Sequence, residues 1–144
     1  MIDSTCLISL DQVGRLELLP NLFDPIVAPP EVLRESGLSL PWLRIEAPSN
    51  PALLTALKVQ VDDGEAEAIA LATERQQRII LDDRRARDLA HRMGLKVIGT
   101  VGILVRAKHV GLLTWVHPIL NELTEKGFRL SEDLKREVLH LAGE

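Results

Sequence analysis

Four acidic residues are spaced so that an α/β chain would turn their side chains toward one edge of a sheet: Asp3, Glu35, Glu65 and Asp83. Asp3 follows the start of a first strand, Asp83 ends an apolar run, and Glu65 lies in the first turn of a helix. If these carboxylates converge, protonation or hard cations must relieve their repulsion, because unpaired buried charge is costly. The pattern therefore predicts a Mg²⁺ or Mn²⁺ site.

The charge distribution adds a possible substrate class to this site. The net charge is −4 over 144 residues, yet nine basic and only three acidic residues lie between Arg75 and Lys108. A positive flank beside an acidic site suits a phosphodiester substrate. Solvated helix faces explain the same charges equally well. The candidates for phosphate contact are Arg84, Arg87 and Lys108.

Alternating apolar and amphipathic segments must position these residues. Short strands are predicted at 25–28, 43–46, 78–81 and 95–98, and helices at 7–19 with a break near Gly14, 31–36, 65–75, 84–93, 100–110, 116–126 and 132–141. Strands that alternate with helices predict an α/β fold with a parallel sheet. Ligands of such sheets bind beyond the carboxyl ends of the strands, where Asp3 and Asp83 are expected.

Composition places the chain among globular proteins. Residues 1–144 have the length of one domain, with 46% hydrophobic and 26% charged residues. No apolar run reaches the length of a membrane span, and the start lacks the basic region of a signal peptide, so we expect a cytoplasmic protein. The one cysteine, Cys6, fits a reducing compartment and is expected to be buried.

Other chemistries fit the residues less well. A haloacid-dehalogenase-type phosphatase needs a second Asp two residues after the first, and Thr5 stands there. A response-regulator receiver has its acidic doublet near the first strand, whereas Asp82 and Asp83 come late. The glycines of segment 99–102 give only a fragment of a dinucleotide-binding motif, and packing explains them better. Each acid alone can be a helix cap or a solvated charge, so only their combination predicts a site.

Four segments together carry a resemblance to a known family. They are Asp3-Ser4-Thr5-Cys6-Leu7-Ile8-Ser9-Leu10, Pro29-Pro30-Glu31-Val32-Leu33-Arg34-Glu35, Gly64-Glu65-Ala66-Glu67-Ala68-Ile69-Ala70-Leu71-Ala72 and Leu81-Asp82-Asp83-Arg84-Arg85-Ala86-Arg87. In this order and spacing they resemble the PIN-domain ribonucleases, in particular the prokaryotic branch similar to VapC toxins. The likeness continues through the segment 99–108 to the end of the chain.

The resemblance implies both a fold and an activity. The implied fold is a three-layer α/β/α PIN-like domain with a central parallel sheet and two C-terminal helices. The implied activity is hydrolysis of RNA by an endoribonuclease that binds one or two Mg²⁺ or Mn²⁺ ions. Asp3, Glu35, Glu65 and Asp83 match the four acids of the family, and Asp82 is an adjacent or alternate ligand. Relatives also imply a homodimer, a toxin role and a small antitoxin protein as partner.

The amino terminus departs from the family pattern. Relatives have several apolar residues before the first acid, whereas only Met1 and Ile2 precede Asp3 here. The first strand is therefore expected to be nearly absent, with its hydrogen bonds lost where Asp3 must be held. The alternative function is accordingly a catalytically weak or inactive PIN-like scaffold that binds RNA or a protein partner. A third hypothesis is that the protein is a regulatory module built on the two C-terminal helices.

Overall fold

The computed structural model describes residues 1–144, which form nine helices and four short strands. The helices are α1 (Ser4–Gln12), α2 (Leu18–Leu22), α3 (Pro30–Ser36), α4 (Pro51–Lys58), α5 (Asp63–Arg75), α6 (Arg84–Arg92), α7 (Thr100–His109), α8 (His117–Glu125) and α9 (Glu132–Leu141). The strands are β1 (Ile26–Ala28), β2 (Leu43–Ile45), β3 (Ile79–Ile80) and β4 (Val97–Ile98).

The strands pair in parallel and are joined through the amino terminus. β1 pairs with β2, and β3 pairs with β4. Ile2 forms a parallel bridge with Ile80, and the Ile2 amide donates to the Val27 carbonyl at 3.0 Å. Residues 1–3 therefore lie between β1 and β3, which gives the order β2, β1, residues 1–3, β3, β4. The chain reverses its direction of winding next to this central segment, which is where α/β sheets bind ligands.

The short first strand keeps the hydrogen bonds that the sequence led us to expect it to lose. The Asp3 amide donates to the Ile80 carbonyl at 3.2 Å, and the Ile80 amide donates to the Met1 carbonyl at 2.8 Å. Two residues are enough because both neighbouring strands are themselves short. The backbone of Asp3 is thus fixed at the centre of the sheet, so the argument for an inactive scaffold loses its physical basis.

Hydrophobic clusters cover both faces of the sheet. One cluster joins α1, α2, α7, α8 and α9 to one face, and a second joins α4, α5 and α6 to the other. Successive strand residues alternate between them, since Ile26 and Ala28 belong to the first cluster and Val27 to the second. This is the predicted three-layer α/β/α arrangement. No helix combines the length and apolar character that a membrane crossing requires.

Candidate active site

An acidic cleft lies at the carboxyl edge of the sheet. Its volume is about 650 Å³, and four of its lining residues are acidic: Asp62, Glu65, Asp82 and Asp83. The first helix supplies Thr5, Ser9 and Gln12 to another wall. Three predicted site residues, Glu65, Asp82 and Asp83, therefore line one cavity. Asp3 and Glu35 do not line it.

Asp3 is a buried carboxylate without a structural explanation. It stands at the position before α1, but its side chain makes no capping hydrogen bond, and only 2% of the residue is exposed. Its Oδ1 atom is buried and has no hydrogen-bond partner. Burial, together with the charges of Asp62, Glu35 and Asp82, raises the pKa of Asp3 to about 7, although a hydrogen bond from the Ser4 backbone acts in the opposite direction. Asp3 is thus close to the cleft acids and carries a free oxygen.

Glu65 has both a structural and an electrostatic role. Its amide donates to the Asp62 carboxylate at 2.9 Å, and its own Oε2 accepts from the Asp62 amide at 3.3 Å, which forms a capping box at the start of α5. Burial raises the pKa of Glu65 to about 8, with contributions from Asp62, Asp3 and Asp83. The helix start therefore orients Glu65 and places a second carboxylate, Asp62, at the cleft.

The two carboxylates of the acidic doublet, Asp82 and Asp83, accept hydrogen bonds from different parts of the chain. Asp82 accepts from the Thr100 amide at 2.7 Å and from the Thr100 hydroxyl. Burial raises the pKa of Asp82, although these hydrogen bonds and the charge of Arg87 act in the opposite direction. Asp83 caps α6, because its Oδ2 accepts from the Ala86 amide at 3.0 Å. Each carboxylate retains contact with the cleft.

Glu35 reaches the site from α3. Its Oε2 accepts from the Ser4 hydroxyl at 2.7 Å, and its charge contributes to the raised pKa of Asp3. The approach to α5 is very close, since a Cβ atom at Gly64 would lie 2.7 Å from both Glu35 carboxylate oxygens. A glycine at position 64 is therefore what allows Glu35 to stand beside the start of α5.

These donors suit a hard divalent cation. All are carboxylate oxygens, which Mg²⁺ and Mn²⁺ prefer, and the free Oδ1 of Asp3 together with the mutual repulsion would be relieved by a positive ion. No three His, Cys, Asp or Glu side chains are grouped so that they could hold an ion together. Two carboxylates are nevertheless a usual complement for Mg²⁺, which keeps several of its waters. The residues present therefore fit such an ion.

Basic side chains also line the acidic cleft. They are Arg84, at the start of α6, and Lys126 and Arg129, which follow α8 in the chain. None of these three forms a salt bridge. Sequence reasoning missed Lys126 and Arg129 because they are 61 residues or more from Glu65 in the chain, outside the basic segment.

The other two predicted phosphate contacts lie elsewhere. The Nη1 atom of Arg87 donates to the Leu81 carbonyl at 2.8 Å, and Arg87 does not line the cleft. Lys108 does not lie at the cleft, contrary to the prediction. Its Nζ pairs with Glu144 at 3.0 Å and lies 5.0 Å from the centre of the Trp115 ring. Glu144 also accepts from the Val116 amide at 2.8 Å. Lys108 therefore joins the end of α7 to the chain terminus and is not at the acidic site.

The fold and the acidic cleft together define a class of protein. A parallel sheet between helical layers, with carboxylates at its carboxyl edge, is the arrangement expected of a PIN-type nuclease. The family model described as PIN domain matches residues 1–144. The chain therefore belongs to the PIN-domain family. Comparisons with curated proteins and with solved structures found no match.

Family membership carries a coarse statement of activity. PIN domains are generally nucleases, which hydrolyse phosphodiester bonds, and they typically use divalent metals. The oxygen donors at this cleft and the basic residues that also line it agree with that general chemistry. The substrate and the metal specific to this chain are matters of proposal.

Proposed function

We propose that this protein is a metal-dependent endoribonuclease that cleaves RNA with Mg²⁺ or Mn²⁺ bound by its cleft carboxylates. The observation that supports it most strongly is Asp3. A buried carboxylate that is surrounded by other acids and has one oxygen without a hydrogen-bond partner destabilises the metal-free fold. Such a residue is explained when a cation is its missing partner.

The residues of the site have distinct tasks in this proposal. Asp3, Glu65, Asp82 and Asp83 would hold the ion or its waters, and Glu35 would orient the Ser4 end of α1. When bound, a divalent ion supplies electrostatic stabilisation of charge on the reacting phosphate. Asp83 and Asp62 are exposed at the cleft and can accept the proton of an attacking water. Thr100 fixes the orientation of Asp82 through two hydrogen bonds.

The basic side of the cleft would hold the substrate. Arg84, Lys126 and Arg129 lie around the same cavity as the acids and carry no salt bridge, so their charges are available to phosphate groups. A polyanion approaching four carboxylates would otherwise be repelled, and these cations offset that repulsion. We therefore assign them to phosphate contact in place of Lys108.

Cleavage of RNA tests the proposal. A labelled single-stranded RNA is incubated with wild type and Asp3→Asn, with Mg²⁺ or Mn²⁺ and with a chelator. We expect metal-dependent cleavage by wild type and a loss of about 100-fold or more in Asp3→Asn, since ligand-sphere changes have effects of this order. Asp133→Asn, at an exposed acid of α9, is the matched control and should cleave normally. Cleavage that persists in chelator, or in Asp3→Asn, would contradict the proposal.

The resemblance to VapC toxins suggests a cellular role for the proposed ribonuclease. In that extension the ribonuclease is the cytoplasmic toxin of a toxin–antitoxin pair, works as a homodimer and is inhibited by a small antitoxin protein. Size-exclusion chromatography with light scattering tests the dimer, for which a monomeric mass is the contrary result. Growth arrest on expression, absent in Asp3→Asn, tests the toxin role.

A further inference from the structure

A pocket lies at the opposite edge of the sheet from the acidic cleft. Its volume is about 320 Å³, and it lies beside the amino ends of β1 and β3, which Pro25 and Arg78 directly precede. We name it the amino-edge pocket. It shares no lining residue with the cleft, so the proposed ribonuclease chemistry does not account for its composition.

Two unpaired arginines give the amino-edge pocket its charge. Arg78 and Arg106 both line it, and neither forms a salt bridge. The one acidic side chain in the lining, Asp24, belongs to an exposed residue and is not paired with either arginine. The pocket therefore has an excess of positive charge, whereas the whole chain has a net charge of −4.

The ring of Phe23 holds the two guanidinium groups near each other. The Cζ atom of Arg106 lies 5.0 Å from the centre of this ring, and the Cζ atom of Arg78 lies 6.0 Å from it. These cation–π contacts offset part of the repulsion between two like charges. They use no N–H donor, and the planar fork of donors on each guanidinium matches the oxygens of a phosphate group.

Positive charge continues along the same edge of the sheet. A neighbouring cavity of about 620 Å³ shares Gln77 and Arg78 with the amino-edge pocket and adds Lys96, which directly precedes β4. Lys96 forms no salt bridge, and no acidic side chain lines this neighbouring cavity. An anion that approaches Arg78 therefore meets positive charge on both sides.

The rest of the lining defines a second part of the ligand. Half of the residues that line the amino-edge pocket are hydrophobic, among them Leu22, Phe23 and Ile26. The volume lies at the lower end of the range of about 300–1,000 Å³ that is usual for small-molecule sites. One water molecule accounts for roughly 30 Å³ of the liquid, so a lone inorganic anion would leave most of this pocket unfilled. A ligand that fills it joins an anionic group to an organic part.

We propose that the amino-edge pocket binds a small organic phosphate monoester, with its phosphate on Arg78 and Arg106 and its organic part against Leu22, Phe23 and Ile26. A phosphate monoester carries about 1.5 to 2 negative charges at pH 7 and three acceptor oxygens. It therefore matches two guanidinium groups better than a carboxylate, which has a single charge. This second site is separate from the acidic cleft, and the inference does not rest on the ribonuclease activity.

Isothermal titration calorimetry in the presence of a chelator tests this site, because no metal ion in the cleft then recruits phosphate. The ligands are adenosine 5′-monophosphate, phenyl phosphate and inorganic phosphate, and the variants are Arg78→Gln and Arg106→Gln. Arg92→Gln is the matched control, because Arg92 is exposed, forms no salt bridge and lines neither the pocket nor the cleft. Arg129→Gln removes an arginine of the acidic cleft instead.

The wild type should bind at least one of the two esters saturably at a single site, and more tightly than inorganic phosphate. Arg78→Gln and Arg106→Gln should each weaken this binding by about tenfold or more, the size expected when a hydrogen bond between charged groups is lost. Arg92→Gln and Arg129→Gln should bind the ester as the wild type does. Thermal unfolding without ligand verifies that each variant is folded.

Four results would overturn the inference. The first is that the wild type binds neither ester saturably, and the second is that both pocket variants bind the ester as tightly as the wild type. The third is loss of binding in Arg129→Gln, which would locate the anion in the acidic cleft. The fourth is equal affinity for the esters and for inorganic phosphate, which would remove the organic part of the ligand. Cleavage of RNA is measured separately, so none of these results decides the proposed function.

Discussion

At the scale of single residues, Asp3 shows the conflict between stability and chemistry most clearly. It occupies the centre of the sheet edge, 2% exposed, with one oxygen unsatisfied. An apolar or neutral residue there would suit the metal-free fold better, since a buried charge without a partner is destabilising. Strain of this kind gathers at functional sites, where a ligand completes what the fold leaves open.

Gly64 tests whether the position of Glu35 matters. Gly64→Ala would place a Cβ atom 2.7 Å from both carboxylate oxygens, and the flexible Glu35 side chain must move away from Ser4. Because Ala favours helix over Gly, we expect stability to stay the same or to rise by up to about 1 kcal/mol. Cleavage should nevertheless fall, as measured by kcat alongside urea denaturation.

Two further variants complete that experiment. Glu35→Ala should lower kcat as much as Gly64→Ala, and the double variant should lower it no further, because both changes remove the same carboxylate from the site. Equal activity of Gly64→Ala and wild type would mean that Glu35 has no part in the reaction.

Site residues could be predicted where their position next to a strand end or a helix start was visible in the sequence. The predicted acids Asp3, Glu65, Asp82 and Asp83 follow strands or begin helices, so their edge of the sheet could be inferred; Glu65, Asp82 and Asp83 line one cleft, and Asp3 is buried close enough for its pKa to feel the charge of Asp82. Asp62 is not among the predicted site residues, although its spacing to Glu65 is that of a capping box and was the available signal. Lys126 and Arg129 reach the cleft through tertiary packing, which no local pattern encodes.

At the scale of elements, the start of α5 does the most to assemble the site. It carries the capping box that fixes Glu65, and the same Asp62 charge raises the pKa of Glu65 and Asp3. One carboxylate thus supports the helix through hydrogen bonding and perturbs its neighbours through charge. The two effects can be separated, because Asn caps a helix as well as Asp but is neutral.

Substitutions at Asp62 make that separation. Asp62→Ala should lower the free energy of unfolding by about 1 kcal/mol through loss of the cap, whereas Asp62→Asn should change it little. Both should lower the pKa of Glu65, which carbon-detected NMR of its carboxyl group reports. Equal destabilisation by Asn and Ala would show that the charge, and not the cap, supports the helix.

Element type was predictable where the apolar pattern was strong. The strands at β1 and β2 and helices α3, α5, α6, α7, α8 and α9 lie close to the predicted ranges. No element is predicted for segment 51–58, yet it forms α4, which Asn50 caps by accepting from the Leu53 amide at 3.1 Å. The break predicted near Gly14 in the helical segment 7–19 is confirmed, since Gly14 has a positive φ of 67° and separates α1 from α2.

At the scale of the whole molecule, the acids should make stability depend on pH. The folded pKa values of Asp3 and Glu65, about 7 and about 8, exceed their ordinary values of 3.8 and 4.5. The folded protein therefore binds protons more tightly than the unfolded chain. Their contribution to stability is fully present below pH 4 and is lost as the pH rises through 7 and 8.

The metal-free protein should accordingly be more stable at pH 5.5 than at pH 8.5, by about 2 kcal/mol or more in urea denaturation. Saturating Mg²⁺ should raise stability mainly at pH 8.5, because an ion binds the deprotonated carboxylates. The double variant Asp3→Asn/Glu65→Gln should lose most of the pH dependence. Stability of the wild type that increases between these pH values would contradict the assigned burial effect.

Titration of Mn²⁺ into the metal-free protein, followed by calorimetry at pH 8, tests most directly whether the cleft carboxylates form a cation site. Wild type and the control Asp133→Asn should show the same saturable binding, and Asp3→Asn should bind at least about tenfold more weakly. Wild type that binds no Mn²⁺, or Asp3→Asn that binds it as tightly as wild type, would contradict the account.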